Sequence, residues 1–392
     1  MVQTRCVNGA LIPTKDPTAA PPAGPAQGLS APTVASVGEF GLIGAISSWL
    51  PPPGARTLTG IGDDAAVLAT PDGRVVATTD FLLEGRHFRR TWSKPGDVGH
   101  KAAARSLADV AAMGAVPTAL LVALAAPPDL PVSWLAEFTK GLAAECTRAG
   151  ATVIGGDTAR ADSILLAITA LGDLAGRPPV LRSGARPGDV IAVCGPLGHA
   201  AAGLALLQSA QHNPPAGSAP PAGSATAAGS GDFAAASLIA AQLSPSPPYS
   251  AGPEAAALGA TAMIDISDGL IADLAHIAAA SNVQINLKTA DIRTTIGSPP
   301  PEFTPDQWLT FALTGGEDHS LAAAFPPEAP LPPHWHTIGE ACPAPAPEPF
   351  GPRPHPQPHP APQPHPAPPS SSATVLVDGR PWSTSGGWDH FR

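Results

Sequence analysis

The chain has few of the residues that would support disulfide bonds, a membrane span or a nucleic-acid surface. Its 392 residues include four cysteines, and no two of them have CxxC spacing, which is typical of reduced thiols. Lys and Arg number 21 against 31 Asp and Glu, so the formal net charge is −10 and a general nucleic-acid surface is disfavoured. No apolar run has the length of a membrane span or a secretory signal. We therefore expect a soluble, cytoplasmic protein without a nucleic-acid or membrane partner.

Proline and glycine are abundant by contrast, with 51 and 40 copies, and they concentrate in three tracts. Residues 1–35 are predicted to be a disordered tail. Residues 211–232 form an Ala/Gly/Pro/Ser insertion, and 341–372 form a Pro tract with interspersed histidines. Such segments bury too little apolar surface to build a core. After the tail, the chain is predicted to form one domain over 36–172 and a second over 173–392, which contains the other two tracts.

Helical and strand patterns alternate in both halves. Helical spacing of apolar residues predicts helices over 39–50, 96–114 and 132–149. Short β-rich runs such as 74–79 and 261–266 predict strands. The order is not a simple βαβ series. It predicts an α+β (mixed α/β) chain of two related domains.

The most informative stretch is 60–68, GIGDDAAVL, in which two closely spaced glycines precede Asp63 and Asp64. Adjacent carboxylates repel each other, so a cation beside them is one explanation, and a solvated turn is the other. The stretch also fits G-x-G-x-x-A, but a β-like run follows it where a dinucleotide site requires a helix. The chain has neither a G-x-x-x-x-G-K-[ST] loop nor protein-kinase signatures. Any ATP would therefore be held mainly through metal ions.

Further acids follow apolar runs or lie on predicted helices. They are Asp80, Asp109, Asp157, Asp265 and Asp268. Each alone is explained by a cap or a loop, above all Asp268 at a helix start, where a phosphate could also bind. Magnesium prefers such oxygen ligands together with substrate phosphates, and phosphoryl transfer depends on neutralised oxygens. As a set, the acids predict a site for several magnesium ions and a polyphosphate.

Two interpretations concern local geometry beside these acids. Lys101, Arg105 and Asp109 are four residues apart, and a surface Arg–Asp pair is the plain interpretation. A strand over 151–154 is predicted to lead into a turn that contains Asp157.

Taken together, the motifs resemble the bacterial thiamine-monophosphate kinase family. The matching segments are GEFGLI (38–43), GIGDDAAVL (60–68), TTDFLLEGRHF (78–88), SLADVAAMGA (106–115), IGGDT (154–158), LRSGARPGD (181–189), IDISDGLIADLAHI (264–277), LTGGED (313–318) and WDHF (388–391). They occur in the family's order and cover nearly all of the chain outside the three tracts.

The resemblance implies two consecutive domains of the aminoimidazole-ribonucleotide-synthetase-like fold. The first domain would bind ATP and magnesium and would pair with its twin in a homodimer. The implied reaction is direct in-line phosphoryl transfer from ATP to thiamine monophosphate at a site with several Mg²⁺ ions, which yields thiamine diphosphate.

The resemblance also assigns roles to individual residues. The implied metal ligands are Asp64, Thr78, Thr79, Asp80, Asp109, Asp157, Asp265 and Asp268, of which Asp64, Asp109, Asp157 and Asp265 are the catalytic set. The implied ATP contacts are Gly156, Asp157, Arg182 and Ser267, and the implied substrate contacts are His87, Glu317 and Trp388. An acid and an aromatic face would suit the cationic thiazolium. The family's usual GGEDYEL is altered here, since His319 and Ser320 follow the GGED segment.

Two other functions remain open at this point. One is another ATP-using enzyme of the same superfamily. A selenophosphate synthetase would need a reactive Cys with a nearby Lys, and Cys6 lies in the tail without that pattern. The other is a non-catalytic nucleotide-binding protein, which the retention of every implied ligand disfavours.

Overall fold

The computed structural model describes residues 31–61, 65–212, 230–344 and 375–382. The first half contains α1 (Val34–Trp49), β1 (Thr57–Thr59), β2 (Val67–Leu68), β3 (Val76–Leu83), α2 (Pro95–Ala112), β4 (Val116–Ala126), α3 (Val132–Ala149), β5 (Thr152–Arg160) and β6 (Leu165–Asp173). The second half contains β7 (Val190–Cys194), α4 (His199–His212), α5 (Ser230–Leu243), α6 (Ala251–Ala257), β8 (Ala262–Ile266), α7 (Leu270–Ser281), β9 (Val283–Leu287), α8 (Thr289–Ile296), α9 (Pro305–Thr314), β10 (Ser320–Phe325), β11 (His336–Pro343), β12 (Val375–Val377) and β13 (Arg380–Pro381).

The sheet of the first half has the strand order β3-β6-β4-β5, with one parallel pair between β4 and β5. Alternate residues such as Leu82, Leu120 and Ile168 are buried on one face, where α2 packs. The opposite face is open, and Phe81 on it is 58% exposed. Since successive strand residues point to opposite faces, the alternation of burial along the strands follows from one covered face and one open face.

The second half is built on a seven-stranded sheet of order β13-β12-β9-β11-β7-β10-β8. Only β12 and β9 pair in parallel. Strands β8 and β10 are buried along their whole length, and their register places Asp265 opposite Leu321. The sheet therefore holds one acid of β8 inside the molecule, beside the loop that precedes β10.

A buried polar network joins the two halves. Glu145 on α3 is 1% exposed and accepts hydrogen bonds from the Tyr249 hydroxyl at 2.5 Å and from Arg148 Nε at 2.9 Å. Arg148 also donates to the carbonyl of Pro247, and a ring nitrogen of His100 on α2 lies 2.8 Å from the carbonyl of Pro245. Because a buried carboxylate is costly unless it is paired, this network holds α2 and α3 against the segment between α5 and α6.

The predicted helix over 39–50 corresponds to the second part of α1, because Gly38 has a non-helical φ of 69° and ψ of 174° and separates it from a first turn that begins at Val34. Two other local predictions differ from the structure. Strand β5 continues through Gly156 where a turn was predicted. A Cβ at Gly156 would lie 1.9 Å from the carbonyl oxygen of Val122, so this glycine permits close strand packing. Strand β11 extends to Pro343, into the predicted Pro tract.

The described residues contain no helix that is both long and apolar enough to cross a membrane. Most of the three predicted low-complexity tracts lies outside the described residues, namely 1–30, 213–229 and 345–374.

Candidate active site

Three of the predicted acids come together between the halves. Asp80 lies on β3, Asp109 lies on α2 and Asp265 lies on β8. Burial, then the charges of Asp265 and Asp80, raises the pKa of Asp109 to about 8. We call these three residues the acidic centre.

Hydroxyl groups orient two carboxylates of the acidic centre. Thr78 Oγ1 donates to Asp109 Oδ2 at 2.8 Å, and Ser106 Oγ donates to Asp80 Oδ2 at 2.9 Å. Thr79 points to the opposite face of β3, where its hydroxyl pairs with that of Thr169. The side chain of Thr79 therefore points away from the acidic centre. A metal contact from this residue would have to use its carbonyl oxygen.

The donor set of the acidic centre suits magnesium. It offers carboxylate and hydroxyl oxygens, which are the hard ligands that Mg²⁺ prefers. Burial and the neighbouring acids oppose the negative charge of Asp109, and a bound cation would offset them. In the part of the chain that the structure describes, no three His, Cys, Asp or Glu side chains are arranged to hold a metal ion by themselves. Phosphate oxygens and water would have to complete the coordination, as is common for this ion.

The loop between β8 and α7 carries Ser267 and Asp268 beside the acidic centre. Oδ2 of Asp273 accepts hydrogen bonds from the amides of Ser267, Asp268 and Gly269, each at 3.0 Å. These three amides are therefore already used, and they are not available for the phosphate that was expected at this helix start. Sequence reasoning missed Asp273, although an acid in the first turn after Ser-Asp-Gly is a signal for such a cap.

The GGED segment packs directly on this loop. A Cβ at Gly316 would lie 2.4 Å from the carbonyl oxygen of Ser267, so only glycine allows the approach. The amide of Glu317 donates to the same carbonyl at 2.8 Å, and Glu317 has a positive φ of 69°. The contact turns the carboxylate of Glu317 towards α2.

Glu317 forms two ion pairs with α2. Lys101 Nζ lies 2.7 Å from Glu317 Oε2, and Arg105 donates to Glu317 Oε1. Only 2% of the Lys101 side chain and 10% of the Arg105 side chain are exposed. The predicted surface pair between Arg105 and Asp109 is thus wrong, because the second half of the chain covers this face of α2. Both cations were missed as candidate site residues.

His87 and Glu317, the two described substrate contacts implied by the motifs, line one pocket of about 220 Å³. Arg86, Arg89 and Lys101 also line it. Nδ1 of His87 accepts a hydrogen bond from the amide of Leu83 at 2.9 Å, so in the neutral ring Nε2 carries the proton. The pocket therefore combines one acid with several cationic side chains.

His319, the departure from the family pattern, reaches the acidic centre. It is 2% exposed, and its Nδ1 lies 3.2 Å from Asp265 Oδ2. Its neighbour Asp318 points elsewhere and accepts from the amides of Gly198 and Ala200 at the start of α4, at 2.5 and 2.8 Å. Burial raises the pKa of Asp318 to about 7.

Other predicted residues lie away from the acidic centre. The register β5-β4-β6-β3 places Asp157 beside Ala123 on the open face of the sheet, whereas Asp80 faces α2. Gly156 and Asp157 border an apolar pocket of about 120 Å³ whose lining includes Ile46 and Phe138. Two predicted residues, Asp64 and Trp388, lie outside the described residues.

Arg182 precedes the second sheet and is exposed. Its carbonyl oxygen accepts a hydrogen bond from Ser281 Oγ at 3.0 Å. Its positive charge contributes to lowering the pKa of His276, after the larger effect of burial. These contacts place Arg182 near α7.

Comparison with known proteins connects this site to one family. The family described as "AIR synthase related protein, N-terminal domain" matches residues 62–174. The thiamine-monophosphate kinase of Mycobacterium tuberculosis is 40% identical over 363 residues, which are 92% of this chain and 93% of that protein. The structure of thiamine-monophosphate kinase from Stenotrophomonas maltophilia K279a has 30% identity and a TM-score of 0.66, covering 87% of this chain and 95% of its own. The structure of AaThiL complexed with AMPPCP and TMP has 29% identity and a TM-score of 0.62, covering 91% of this chain and 97% of its own.

The fold and the acidic centre thus define a protein with the mixed α/β architecture of the AIR-synthase-related proteins. At 40% identity over 92% of its length, the chain belongs to the thiamine-monophosphate kinase family. The resemblance drawn from the motifs is confirmed, and the chain is a kinase.

Proposed function

We propose that this chain transfers a phosphoryl group from ATP to thiamine monophosphate, with thiamine diphosphate and ADP as products. One observation carries the proposal. Arg105 on α2 contacts Glu317 in the substrate pocket, and Asp109, four residues further on the same helix face, belongs to the acidic centre. One helical turn rises about 5.4 Å, so an acceptor phosphate in the pocket would lie next to metal-held ATP phosphates. That arrangement suits direct in-line transfer.

Asp80, Asp109 and Asp265, with Thr78 and Asp268 beside them, are the residues that would hold magnesium. Magnesium bound there would neutralise phosphate oxygens during transfer. The chain's own contribution is positional. Thr78 and Ser106 fix two carboxylates, and Asp273 fixes the loop that carries Ser267 and Asp268.

The apolar pocket bordered by Gly156 and Asp157 supports the implied ATP contacts. Its lining comes from α1, α3, β4 and β5, and a flat, weakly polar ring such as adenine suits such a lining. We place the adenosine end of ATP there.

A homodimer is the proposed assembly. Asp157 lies on the open face of the sheet and Asp80 on the covered face, so one chain does not join these two predicted ligands. Pairing of two open faces would cover Phe81 and bring a second copy beside Asp157. The ATP-dependent reaction and the isolated cysteines also support a cytoplasmic location.

Phe81→Glu is expected to convert the dimer into monomers. Phe81 is 58% exposed on the open face, and burying such a side chain stabilises an interface by about 1.5–3 kcal/mol, whereas a charge there opposes pairing. Sedimentation equilibrium would measure the mass. Leu181→Glu, at a 46% exposed apolar residue in the second half, is the matched control and should keep the wild-type mass. An unchanged mass for Phe81→Glu would exclude this face as the interface.

The reaction is tested by incubating the full chain with ATP and thiamine monophosphate, with Mg²⁺ or with EDTA, and separating the products by chromatography. Thiamine diphosphate should form only with Mg²⁺. ATP binding without product would instead favour another enzyme of the superfamily or a non-catalytic nucleotide-binding protein. Release of phosphate without thiamine diphosphate would point to a different acceptor.

A further inference from the structure

The ion-pair cluster of Lys101, Arg105 and Glu317 has two basic side chains for one acid. Arg105 and Lys101 hold the pKa of Glu317 well below its usual range despite its burial, so the carboxylate is ionised at neutral pH. Two basic side chains then contact one carboxylate in a largely buried place, where charges interact more strongly than in water. Arg86 and Arg89 line the same pocket. The wall of the pocket at Glu317 therefore suits an anion.

This charge balance changes what Glu317 can do. The motif comparison paired its carboxylate with the cationic thiazolium. Both carboxylate oxygens, however, already contact cations, Oε1 with Arg105 and Oε2 with Lys101. A third cation at Glu317 would meet two basic side chains that already contact its carboxylate. Glu317 is thus better suited to orienting its two partners than to binding the thiazolium.

Of the two cations, Arg105 has unused hydrogen-bonding capacity. Lys101 Nζ lies 2.7 Å from Glu317 Oε2 and donates, at 3.0 Å, to the carbonyl oxygen of Gln242. Arg105 donates to Glu317 through Nη1, while its buried Nε makes no hydrogen bond. A guanidinium carries five N–H donors in a planar fork, which matches the spacing of phosphate oxygens.

Arg105 also lies near the acidic centre. Burial opposes its charge most, but the charge of Glu317 and then the charges of Asp80, Asp109 and Asp265 raise its pKa. Arg105 therefore lies between the pocket that contains Glu317 and the acidic centre. This is the region through which a phosphoryl group would pass from metal-held ATP to an acceptor in the pocket.

We propose that Arg105, oriented by Glu317, binds the phosphate of the acceptor substrate. Glu317 then acts on the substrate through Arg105 and Lys101. The assignment rests on the proposed function, since it names the part of thiamine monophosphate that this wall of the pocket recognises.

The test compares two probes that differ only in the phosphate. Thiamine monophosphate and thiamine are each titrated by calorimetry into the wild-type chain and into Arg105→Gln. The variant is expected to bind thiamine monophosphate about 10- to 100-fold more weakly, the scale of a lost hydrogen bond to a charged group. Its affinity for thiamine should match the wild type. Arg105→Lys, which keeps the charge and loses the fork, should fall in between.

The Glu317→Gln variant tests whether Glu317 orients Arg105 and Lys101 or contacts the thiazolium. It should weaken binding of thiamine monophosphate more than binding of thiamine, because it releases the cations that hold the phosphate. Equal losses for both probes would mean that Glu317 contacts the thiazolium. Equal losses in Arg105→Gln, or none, would overturn the assignment of Arg105.

Two controls complete the design. Arg293→Gln on α8 removes an exposed surface pair with Asp306 and should leave both affinities unchanged. Thermal melting of each variant checks that it folds, and Arg105→Lys remains informative if Arg105→Gln does not fold. If the wild-type chain binds neither probe and makes no thiamine diphosphate, the proposed function itself fails. If the wild-type chain makes thiamine diphosphate and Arg105→Gln binds thiamine monophosphate as tightly as the wild type, only the phosphate assignment is rejected.

Discussion

Asp109→Asn is expected to lower kcat by about 10²-fold or more and, at the same time, to stabilise the metal-free protein at pH 8. The loss of activity follows because Asp109 is an acid of the acidic centre, and removing one preorganised electrostatic group commonly costs this much. The gain in stability follows because the charge of Asp109 is opposed by burial and by Asp265 and Asp80, which raise its pKa to about 8.

The sign of the pH dependence can be worked out from that pKa. An unfolded Asp titrates near 3.8, so between about pH 4 and pH 8 the folded protein binds a proton that the unfolded chain has released. The stabilisation from this proton is complete below about pH 4 and is lost as the pH rises towards 8. Asn carries no titrating group, so the variant should lose less stability than the wild type over this range.

Melting temperatures in EDTA from pH 5 to pH 8 would measure this effect. Each kcal/mol by which the substitution increases the free energy of unfolding should raise the melting temperature of Asp109→Asn above that of the wild type by about 2–4 °C in a domain of this size. Asp306→Asn is the control, because its side chain is 94% exposed and its loss should change neither kcat nor the pH dependence. Normal turnover by Asp109→Asn would remove this residue from the catalytic set.

Among the variants proposed, Asp273→Ala should lower the free energy of unfolding the most. One oxygen of Asp273 accepts three backbone hydrogen bonds, so the change leaves three amides of a partly buried loop without their partner. Leaving a buried donor unsatisfied costs about 1–3 kcal/mol, so a total loss of about 3 kcal/mol or more is expected. Turnover should also fall, because the loop carries Ser267 and Asp268.

Asp273→Asn is the matched variant for this prediction. Burial, then Asp265, raises the pKa of Asp273 to about 8. The amide keeps an oxygen acceptor of the same shape, and the loss of stability should be much smaller. Urea unfolding and turnover at pH 7 would compare the three proteins. Wild-type values for Asp273→Ala would show that the loop does not depend on this contact.

Much of the site can be found from the sequence, because its chemistry is carried by short motifs. Asp80, Asp109, Asp265 and Asp268 were recognised as acids beside apolar runs, and the structure brings the first three together. The GGED segment was recognised as well, and Glu317 lines the pocket with His87. Mixed α/β architecture was likewise evident from the alternation of strand and helix patterns.

The partners of those residues could not be found in the same way. Four-residue spacing placed Lys101 and Arg105 on one face of a helix, but it did not tell whether that face meets solvent or protein. Their partner Glu317 lies 212 residues after Arg105, and packing of the second half on α2 buries the contact. Likewise, Gly156 serves close packing of β5 on β4, a role that depends on a neighbouring strand.

The sequence by itself therefore determined the family, the acids and the order of the elements, because these depend on local residue patterns. Tertiary structure alone decided that Arg105 pairs with Glu317, that Asp273 caps the loop of Asp268, and that Asp157 and Asp80 lie on opposite faces of one sheet. Each of these depends on which surfaces are buried against each other. Burial also determines the charge balance of the pocket, since it prevents water from screening the two cations beside Glu317.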